Sequence, residues 1–185
     1  MQSPRIYKAE AIILKRKIIG ETDRILIIFS KQYGKIKVIA KGIRRTSSKR
    51  SPHLELFTHV DLVLHKGKIW DSVSEVNTIE IFQGLRKHLS RISIAYYLSE
   101  LVDRLLPDRQ EHADVFAFLV ESFQILNYGQ YKKGREFCEQ RSLILLKLLG
   151  YIPDTQVMDF LEIQAFIENI IGKRLNTHKL LTKLS

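Results

Sequence analysis

Polar and apolar residues alternate most clearly in a nine-residue stretch, Tyr33-Gly34-Lys35-Ile36-Lys37-Val38-Ile39-Ala40-Lys41. Ile36, Val38 and Ala40 occupy every second position, and lysines fill most of the positions around them. This period of two indicates a strand with one buried face, because successive side chains of a β-strand point to opposite sides. The stretch therefore predicts a turn at residues 33–35 that leads into a half-buried strand.

Four similar segments flank this strand in the first half of the chain. Short turns separate them, except for a polar and basic loop at residues 42–53. The predicted strands are Ile6–Arg16, Arg24–Ser30, Ile36–Lys41, Thr58–His65 and Ile69–Ile79. An open sheet of five short strands would expose its edges, whereas a five-stranded barrel of the oligonucleotide-binding type (the OB-fold) nearly closes. The first half therefore predicts a small closed barrel.

After Phe82 the apolar residues change to helical spacing. Pro107 follows the first helical segment, and Gly150 with Pro153 follows the third; both are typical signals that end a helix. The predicted helices are Gly84–Leu106, His112–Leu126, Lys132–Leu149, Thr155–Ile171 and Asn176–Leu184. We therefore expect an α+β protein with two domains, an OB-fold barrel at residues 1–82 and an α-helical domain at residues 83–185.

The composition is that of a basic globular protein. Thirty Lys and Arg residues against twenty Asp and Glu give a formal net charge of +10. Residues 1–83 hold 16 of these basic and 8 of the acidic residues, a net of +8, so most of the excess lies in the barrel half. A basic surface attracts polyanions, so the charge favours a nucleic-acid partner. The alternative is an ordinary solvated surface.

Targeting and membrane signals are not found in the sequence. Arg5, Lys8 and Glu10 interrupt the opening segment, and no apolar run reaches the roughly 20 residues that a membrane span needs. The single cysteine, Cys138, allows neither a disulfide nor a cysteine zinc site within the chain. We expect a cytoplasmic protein without a membrane partner.

Positive charge is densest in residues 35–50, which hold seven cations and no acidic residue. Strands two and three and their loops form the binding face of an OB-fold, so this cluster predicts contacts with phosphates. A flexible solvated loop is the alternative. The predicted nucleic-acid-binding residues are Lys15, Arg16, Lys17, Lys35, Lys37, Lys41, Arg44, Arg45, Lys49 and Arg50.

Aromatic residues provide a weaker signal for base stacking. Phe29 and Phe57 lie in apolar patterns and are predicted to be core residues. Tyr33 in a turn and Trp70 after a basic hairpin are candidates to stack on bases, although Trp70 equally fits a role as a barrel plug. The sequence thus favours contact with the phosphate backbone over reading of bases.

No pattern typical of catalysis or of a metal site is found. His59 and His65 would lie about 20 Å apart along a strand, too far apart to share one metal, and we expect both to be exposed. Glu21 and Asp23 form a close carboxylate pair that favours a turn-capping role or pairing with Arg24 over a divalent-ion site. Cys138 is predicted to be a small core residue. We predict no enzyme activity, metal or cofactor.

A known family shares several motifs with this chain, in the same order and spacing. The segments are Ala9–Leu14, Gly20–Leu26, Tyr33–Lys35, Ala40–Arg45, Leu56–His65, Ala95–Asp103, Leu145–Asp154 and Ile171–Leu175. Together they resemble the RecO family of bacterial recombination and repair mediators. The resemblance implies an OB-fold barrel followed by helices, binding of single- and double-stranded DNA, and annealing of complementary strands. It also implies partnership with single-strand-binding protein and RecR in loading a recombinase, at the nucleoid.

One departure from the family pattern concerns zinc. Many members carry a four-cysteine zinc module after the Gly-Tyr-x-Pro segment, which here is Gly150–Pro153, but no cysteine follows Cys138. We expect that the module is deleted, which puts part of the RecR contact in doubt. An RNA- or ribosome-associated barrel protein remains the alternative binding function. A nuclease or transferase that uses Glu21, Asp23 and a metal remains the alternative enzyme.

Overall fold

The computed structural model describes residues 5–177. Its first half contains five β-strands and a single 3-10 turn at Ser51–His53. The strands are β1 (Ile6–Ile19), β2 (Asp23–Ser30), β3 (Gly34–Ala40), β4 (His59–His65) and β5 (Asp71–Glu80). They close into a barrel in the order β1-β2-β3-β5-β4. The predicted five-stranded OB-type barrel is confirmed.

Strand β1 is long enough to pair with two neighbours. Its first half, Ile6 to Ile12, runs antiparallel to β4, and its second half, Ala11 to Ile19, runs antiparallel to β2. A bulge between Ile13 and Lys15 lies in the second pairing. A bulge bends its strand and increases the twist, which lets one strand turn the corner of a small barrel.

Inward-pointing residues of all five strands fill the barrel. Leu26 and Ile28 of β2, together with Val38 of β3, are fully buried, as the alternation of the sequence predicts. The other members of this core are Ala9, Ala11, Ile13, Ile36, Ala40, Ile43, Leu54, Val60, Leu62, Leu64 and Val73. Burial of this apolar set is the main favourable contribution to the stability of the barrel.

The seam between β3 and β5 is the shortest pairing of the barrel. These strands run parallel and share only the pairs Val38–Asp71 and Ile39–Ser72. The Arg50 guanidinium spans the seam, because it donates to the carbonyl of Lys41 at 2.8 Å and to the carbonyl of Val73 at 2.7 Å. Arg50 therefore helps to close the barrel where the backbone ladder is thinnest.

The second half of the described chain is helical. The helices are α1 (Gln83–Arg86), α2 (Leu89–Leu105), α3 (Ala113–Tyr128), α4 (Gly134–Leu148) and α5 (Phe160–Ile171). By compactness the chain divides into two units. One contains the residues up to Ile81 together with Asp108–Phe116, and the other contains Phe82–Pro107 together with the residues from Ala117 onward.

The prediction of one continuous helix over residues 84–106 is wrong. His88 has extended backbone angles (φ −125°, ψ 124°) and separates α1 from α2. The Asn127 side chain accepts hydrogen bonds from the amides of Gly84 (2.7 Å) and Leu85 (3.3 Å), and Arg91 donates to the Gly84 carbonyl at 3.1 Å. These tertiary contacts hold the short first helix apart, and helical spacing alone does not reveal them.

Local capping signals explain where the later helices begin and end. Helix α4 ends before Gly150, which has the left-handed φ of 72° expected at a helix end. The predicted helix over residues 155–171 starts later, at Phe160, because Asp159 and Glu162 form a reciprocal capping box. The predicted helix over residues 176–184 falls almost entirely outside the described residues.

The helical unit has its own core. Leu98, Leu101 and Phe123 are fully buried, and the Tyr97 hydroxyl hydrogen-bonds to the Ser142 hydroxyl at 2.7 Å. The carboxylate of Glu100 is also buried and accepts hydrogen bonds from the backbone amides and side chains of Asn176 and Thr177. A buried carboxylate needs such partners, so these contacts fix the end of the described chain against α2.

Candidate nucleic-acid interface

The ten predicted binding cations lie on three segments of the barrel unit: the second half of β1, strand β3 and the connection from β3 to β4. Most of them are exposed. The exposed side chains are those of Arg16, Lys17, Lys37, Lys41, Arg44, Arg45 and Lys49, whereas Lys15 and Arg50 are half-buried and Lys35 is buried. The barrel thus presents most of this charge to solvent.

Strand register brings cations of two strands onto one outer face. Lys15 of β1 lies opposite Ile27 of β2, which in turn lies opposite Lys37 of β3. One pair further along, Lys17 lies opposite Ile25. Directly opposite residues share a face of the sheet, so each isoleucine has a lysine at its side. We call Lys15, Lys17, Ile25, Ile27 and Lys37 the β1–β3 face.

A groove of about 330 Å³ lies over this face. Its lining consists of the five residues of the β1–β3 face together with Arg16 and Trp70. Trp70 comes directly before β5, and the parallel pair Val38–Asp71 places it beside Lys37. The groove therefore combines three apolar side chains with four cationic ones.

The basic connection after β3 is anchored at the β1–β2 turn by the Asp23 carboxylate and the Glu21 main-chain carbonyl. Asp23 accepts hydrogen bonds from the Gly42 amide (2.7 Å) and the Thr22 hydroxyl (2.9 Å). The Gly42 amide, followed by Thr22, holds the pKa of the Asp23 carboxyl below its usual value. Arg44 donates to the Glu21 carbonyl at 2.8 Å. Asp23 therefore caps the start of the connection after β3 and not its own turn, and Arg24 pairs with Glu55.

Several of the ten cations make structural contacts within the barrel unit. Arg16 pairs with Glu55, which also accepts from Arg24 at 3.3 Å. Lys35 lies 3.3 Å from Asp108 and is 8% exposed. Arg50 closes the β3–β5 seam, as described above. Lys37 also lies 3.4 Å from Asp108, and Arg44 donates to the Glu21 main-chain carbonyl at 2.8 Å, but both of these side chains remain exposed.

The aromatic side chains separate into packed and available groups. Phe29 and Phe57 are buried, as predicted. Tyr33 packs edge-on against Tyr7 with ring centroids 4.8 Å apart, so part of its ring is occupied. Trp70 is half-buried and lines the groove. Trp70 is therefore the better placed of the two predicted stacking candidates.

The histidine prediction is half wrong. His65 is exposed as expected, but His59 is 7% exposed. The His59 ring nitrogen Nε2 lies 3.0 Å from the Glu10 carboxylate, and Phe116 packs edge-on against the ring at 5.7 Å between centroids. Phe116 at the start of α3 thus covers His59, which the alternation of β4 alone would leave exposed to solvent.

The remaining candidates are the acidic, histidine and cysteine side chains. Within residues 5–177, no three His, Cys, Asp or Glu side chains gather as metal ligands would. Cys138 is fully buried, as predicted, and burial raises the pKa of its thiol to about 12. None of the helices in this range is long and apolar enough to cross a membrane.

The site contains residues that sequence reasoning missed. Ile25 and Ile27 were indistinguishable from core residues, because β2 is apolar at five consecutive positions, 25–29. Their place in the strand alternation separates them. Leu26 and Ile28 point inward, so the intervening Ile25 and Ile27 point outward. Asp108 and Arg109 were also missed. They lie in a segment far along the chain, and the Arg109 amide donates to the Lys35 carbonyl at 2.8 Å.

Comparison with known proteins gives consistent matches along the chain. The family model described as recombination protein O N terminal matches residues 1–82, and the one described as recombination protein O C terminal matches residues 86–157. A protein named DNA repair protein RecO from Pelotomaculum thermopropionicum is 34% identical over 80% of this chain and 57% of its own length. A protein of the same name from Roseiflexus sp. is 39% identical over 80% of this chain and 52% of its own length. Another from Thermoanaerobacter sp. is 33% identical over 80% of this chain and 60% of its own length. The chain spans a little over half the length of these curated relatives.

Proposed function

This chain belongs to the recombination protein O family, and on that premise we propose that it is a DNA-binding mediator of recombinational repair. The observation that carries the proposal is the basic outer surface of the barrel, where cations of β1 and β3 share one face and the exposed cations of the following connection start from the β1–β2 turn. Cations that neutralise phosphates release condensed counterions, and this release supplies affinity for DNA of any sequence.

We assign the contacts with DNA phosphates to the exposed cations. Lys17, Lys37, Lys41, Arg44, Arg45 and Lys49 form this set. We assign Arg16, although it is exposed, together with Lys35 and Arg50 chiefly to the fold, because each is engaged by a carboxylate or by backbone carbonyls. Lys37 and Arg44 each make one such contact, to Asp108 and to the Glu21 carbonyl, and keep an exposed side chain for phosphate. Lys15 belongs to the groove. In this proposal residues 1–82 form the DNA-binding domain, and residues 83–185 form a helical domain that serves protein partners.

Annealing follows from the same charge. Two complementary strands repel each other because both carry closely spaced phosphates, and a protein that neutralises phosphates on both lowers that repulsion. The proposed protein performs no covalent chemistry and needs no cofactor. By family membership its partners are single- and double-stranded DNA, single-strand-binding protein and RecR, and its place is the nucleoid in the cytoplasm.

A salt titration of binding tests the proposal. Labelled single-stranded DNA, duplex DNA and RNA of equal length are bound by the full chain at several salt concentrations, and annealing of complementary strands is followed separately. We expect both DNA forms to bind with a steep salt dependence and annealing to accelerate. An Arg44→Glu/Arg45→Glu variant should bind all sequences more weakly, whereas Lys173→Glu/Arg174→Glu, with the same charge change after α5, should not.

Three results would contradict this function. Tighter binding of RNA than of either DNA would support an RNA-associated protein instead. Magnesium-dependent cleavage of any of the nucleic acids would indicate an enzyme. Unchanged affinity of the Arg44→Glu/Arg45→Glu variant would show that DNA binds to another surface.

A further inference from the structure

We propose that the groove over the β1–β3 face accepts unstacked bases of single-stranded DNA, with Trp70 as the stacking surface. This inference rests on the proposed DNA-binding function and adds to it a base-contacting site that favours single strands over duplex. The sequence favours contact with the phosphate backbone, and the groove adds to it a site for bases.

The floor of the groove is apolar where a solvent-facing barrel strand is ordinarily polar. Ile25 and Ile27 point outward from β2 and are only half-buried, while Leu26 and Ile28 between them fill the barrel. Trp70 adjoins the same groove. Apolar side chains gathered on an outer surface that is otherwise charged are typical of a binding site.

Charge around the floor identifies the occupant. Lys15 and Lys37 flank Ile27 from the two neighbouring strands, and Lys17 and Arg16 line the groove beside Ile25. No acidic residue belongs to this lining. A ligand that complements the groove therefore carries flat apolar faces and several negative charges, which are the bases and phosphates of a nucleic-acid strand.

The shape of the site favours a single strand. A base in a duplex is stacked on both faces and paired along its edge, so only an unpaired and unstacked base can lie flat on an aromatic ring. A groove of about 330 Å³ is at the small end of ligand-binding pockets, which start near about 300 Å³. It fits bases and not a double helix.

The backbone at Trp70 is held in place before any ligand binds. A Cβ atom at Gly67 would lie 2.0 Å from the Trp70 carbonyl oxygen, so the β4–β5 turn is closed tightly around a glycine. Asp71, the next residue, is buried and accepts from the Gly67 amide at 3.1 Å. A stacking residue whose backbone is already held does not lose backbone entropy on binding.

Trp70 is the single tryptophan of the chain, so its fluorescence reports directly on the site. We would titrate the full-length protein at one fixed low salt concentration with an oligothymidylate of about 15 nucleotides, close to the largest site size of one OB-fold. The matched ligand is an abasic strand of the same length, which carries the same phosphates without bases. Binding is measured independently by anisotropy of a label on the strand.

We expect the oligothymidylate to quench the tryptophan emission and the abasic strand to bind without quenching. Stacking of one base on an aromatic ring corresponds to about a 5- to 150-fold tighter binding of the oligothymidylate. A Trp70→Leu variant should lose most of this preference and keep its affinity for the abasic strand. Ile69→Ala, which removes the exposed neighbouring side chain and retains the tryptophan, should behave as the unaltered protein.

The outcomes separate this inference from the function on which it rests. If the oligothymidylate binds without any change in emission, or if the abasic strand binds equally well, the base-stacking site is refuted and the phosphate-binding function stands. If neither strand nor duplex binds at low salt, both are refuted. These measurements on the unaltered protein are decisive even if Trp70→Leu does not fold.

Discussion

Removing two exposed cations from the β3–β4 connection should weaken DNA binding by an amount that depends on salt. Lys41 and Arg45 are exposed and lie in the segment that Asp23 anchors through Gly42. The perturbation is the double variant Lys41→Gln/Arg45→Gln. Surface substitutions of this kind usually change folding stability by less than about 0.5 kcal/mol, so a change in binding can be attributed to charge.

The expected magnitude follows from counterion release. For single-stranded DNA, each phosphate contact contributes about 0.7 to the slope of log affinity against log salt concentration. If each of the two side chains contacts one phosphate, the slope becomes shallower by about 1.4. At about 0.1 M salt this corresponds to a loss of about 25-fold in affinity, or about 2 kcal/mol.

The assay is fluorescence anisotropy of a labelled oligothymidylate at four or more salt concentrations. The matched control is Lys173→Gln/Arg174→Gln, which removes the same charge from two exposed residues after α5. An unchanged slope in the first variant, or an equal change in the control, would refute the assignment of phosphate contacts to the connection. A uniform loss of affinity with no change in slope would show that the two cations act through the fold.

Three further predictions concern residues that hold the structure. Arg50→Gln should lower the free energy of unfolding, measured in urea, by about 1–3 kcal/mol, because it removes contacts to backbone carbonyls across the β3–β5 seam. The same variant should leave the salt dependence of DNA binding unchanged. A shallower salt dependence would show that Arg50 contacts phosphate. Burial raises the pKa of Asp71, but hydrogen bonds from Tyr7 and Gly67 and the charge of Arg109 outweigh it and hold that pKa below its ordinary value of 3.8. The stability that ionised Asp71 contributes is therefore present above pH 3.8 and lost as the pH falls through its folded-state pKa. In acid denaturation the loss of folding stability caused by Asp71→Asn should therefore shrink below pH 3.8. A loss of stability independent of pH would contradict this. Cys138 should react with a thiol reagent only at the rate of unfolding, because its side chain is buried and its thiol pKa is raised to about 12; rapid labelling of the folded protein would refute that placement.

Strand periodicity predicted the barrel because the alternation follows directly from backbone geometry. The inward positions of β3, Ile36, Val38 and Ala40, are buried as the pattern requires. The alternation did not predict the burial of Lys35. This residue occupies an outward position of the strand but is buried beside Asp108. The covering segment lies more than seventy residues further along the chain, so no local pattern contains it.

The sequence predicted the cations of the candidate site but not the apolar side chains grouped beside them. Seven cations in residues 35–50 are visible in the sequence by counting. The grouping of Ile25, Ile27 and Trp70 is not, because these residues come from two distant segments that only the barrel register brings together. Likewise, the sequence does not distinguish Arg50 at the β3–β5 seam from the exposed Arg45.

The sequence by itself determined that this protein has a basic five-stranded barrel followed by helices, and it contained the motifs of its family. These features depend on local periodicity, charge and residue order, which are properties of the chain before it folds. Only the tertiary structure decided which cations remain exposed and which close the barrel, since this depends on carbonyls and carboxylates supplied by remote segments. The tertiary structure also placed Ile25, Ile27 and Trp70 beside lysines. Strand register determines these neighbours, and the order of residues along the chain does not reveal them.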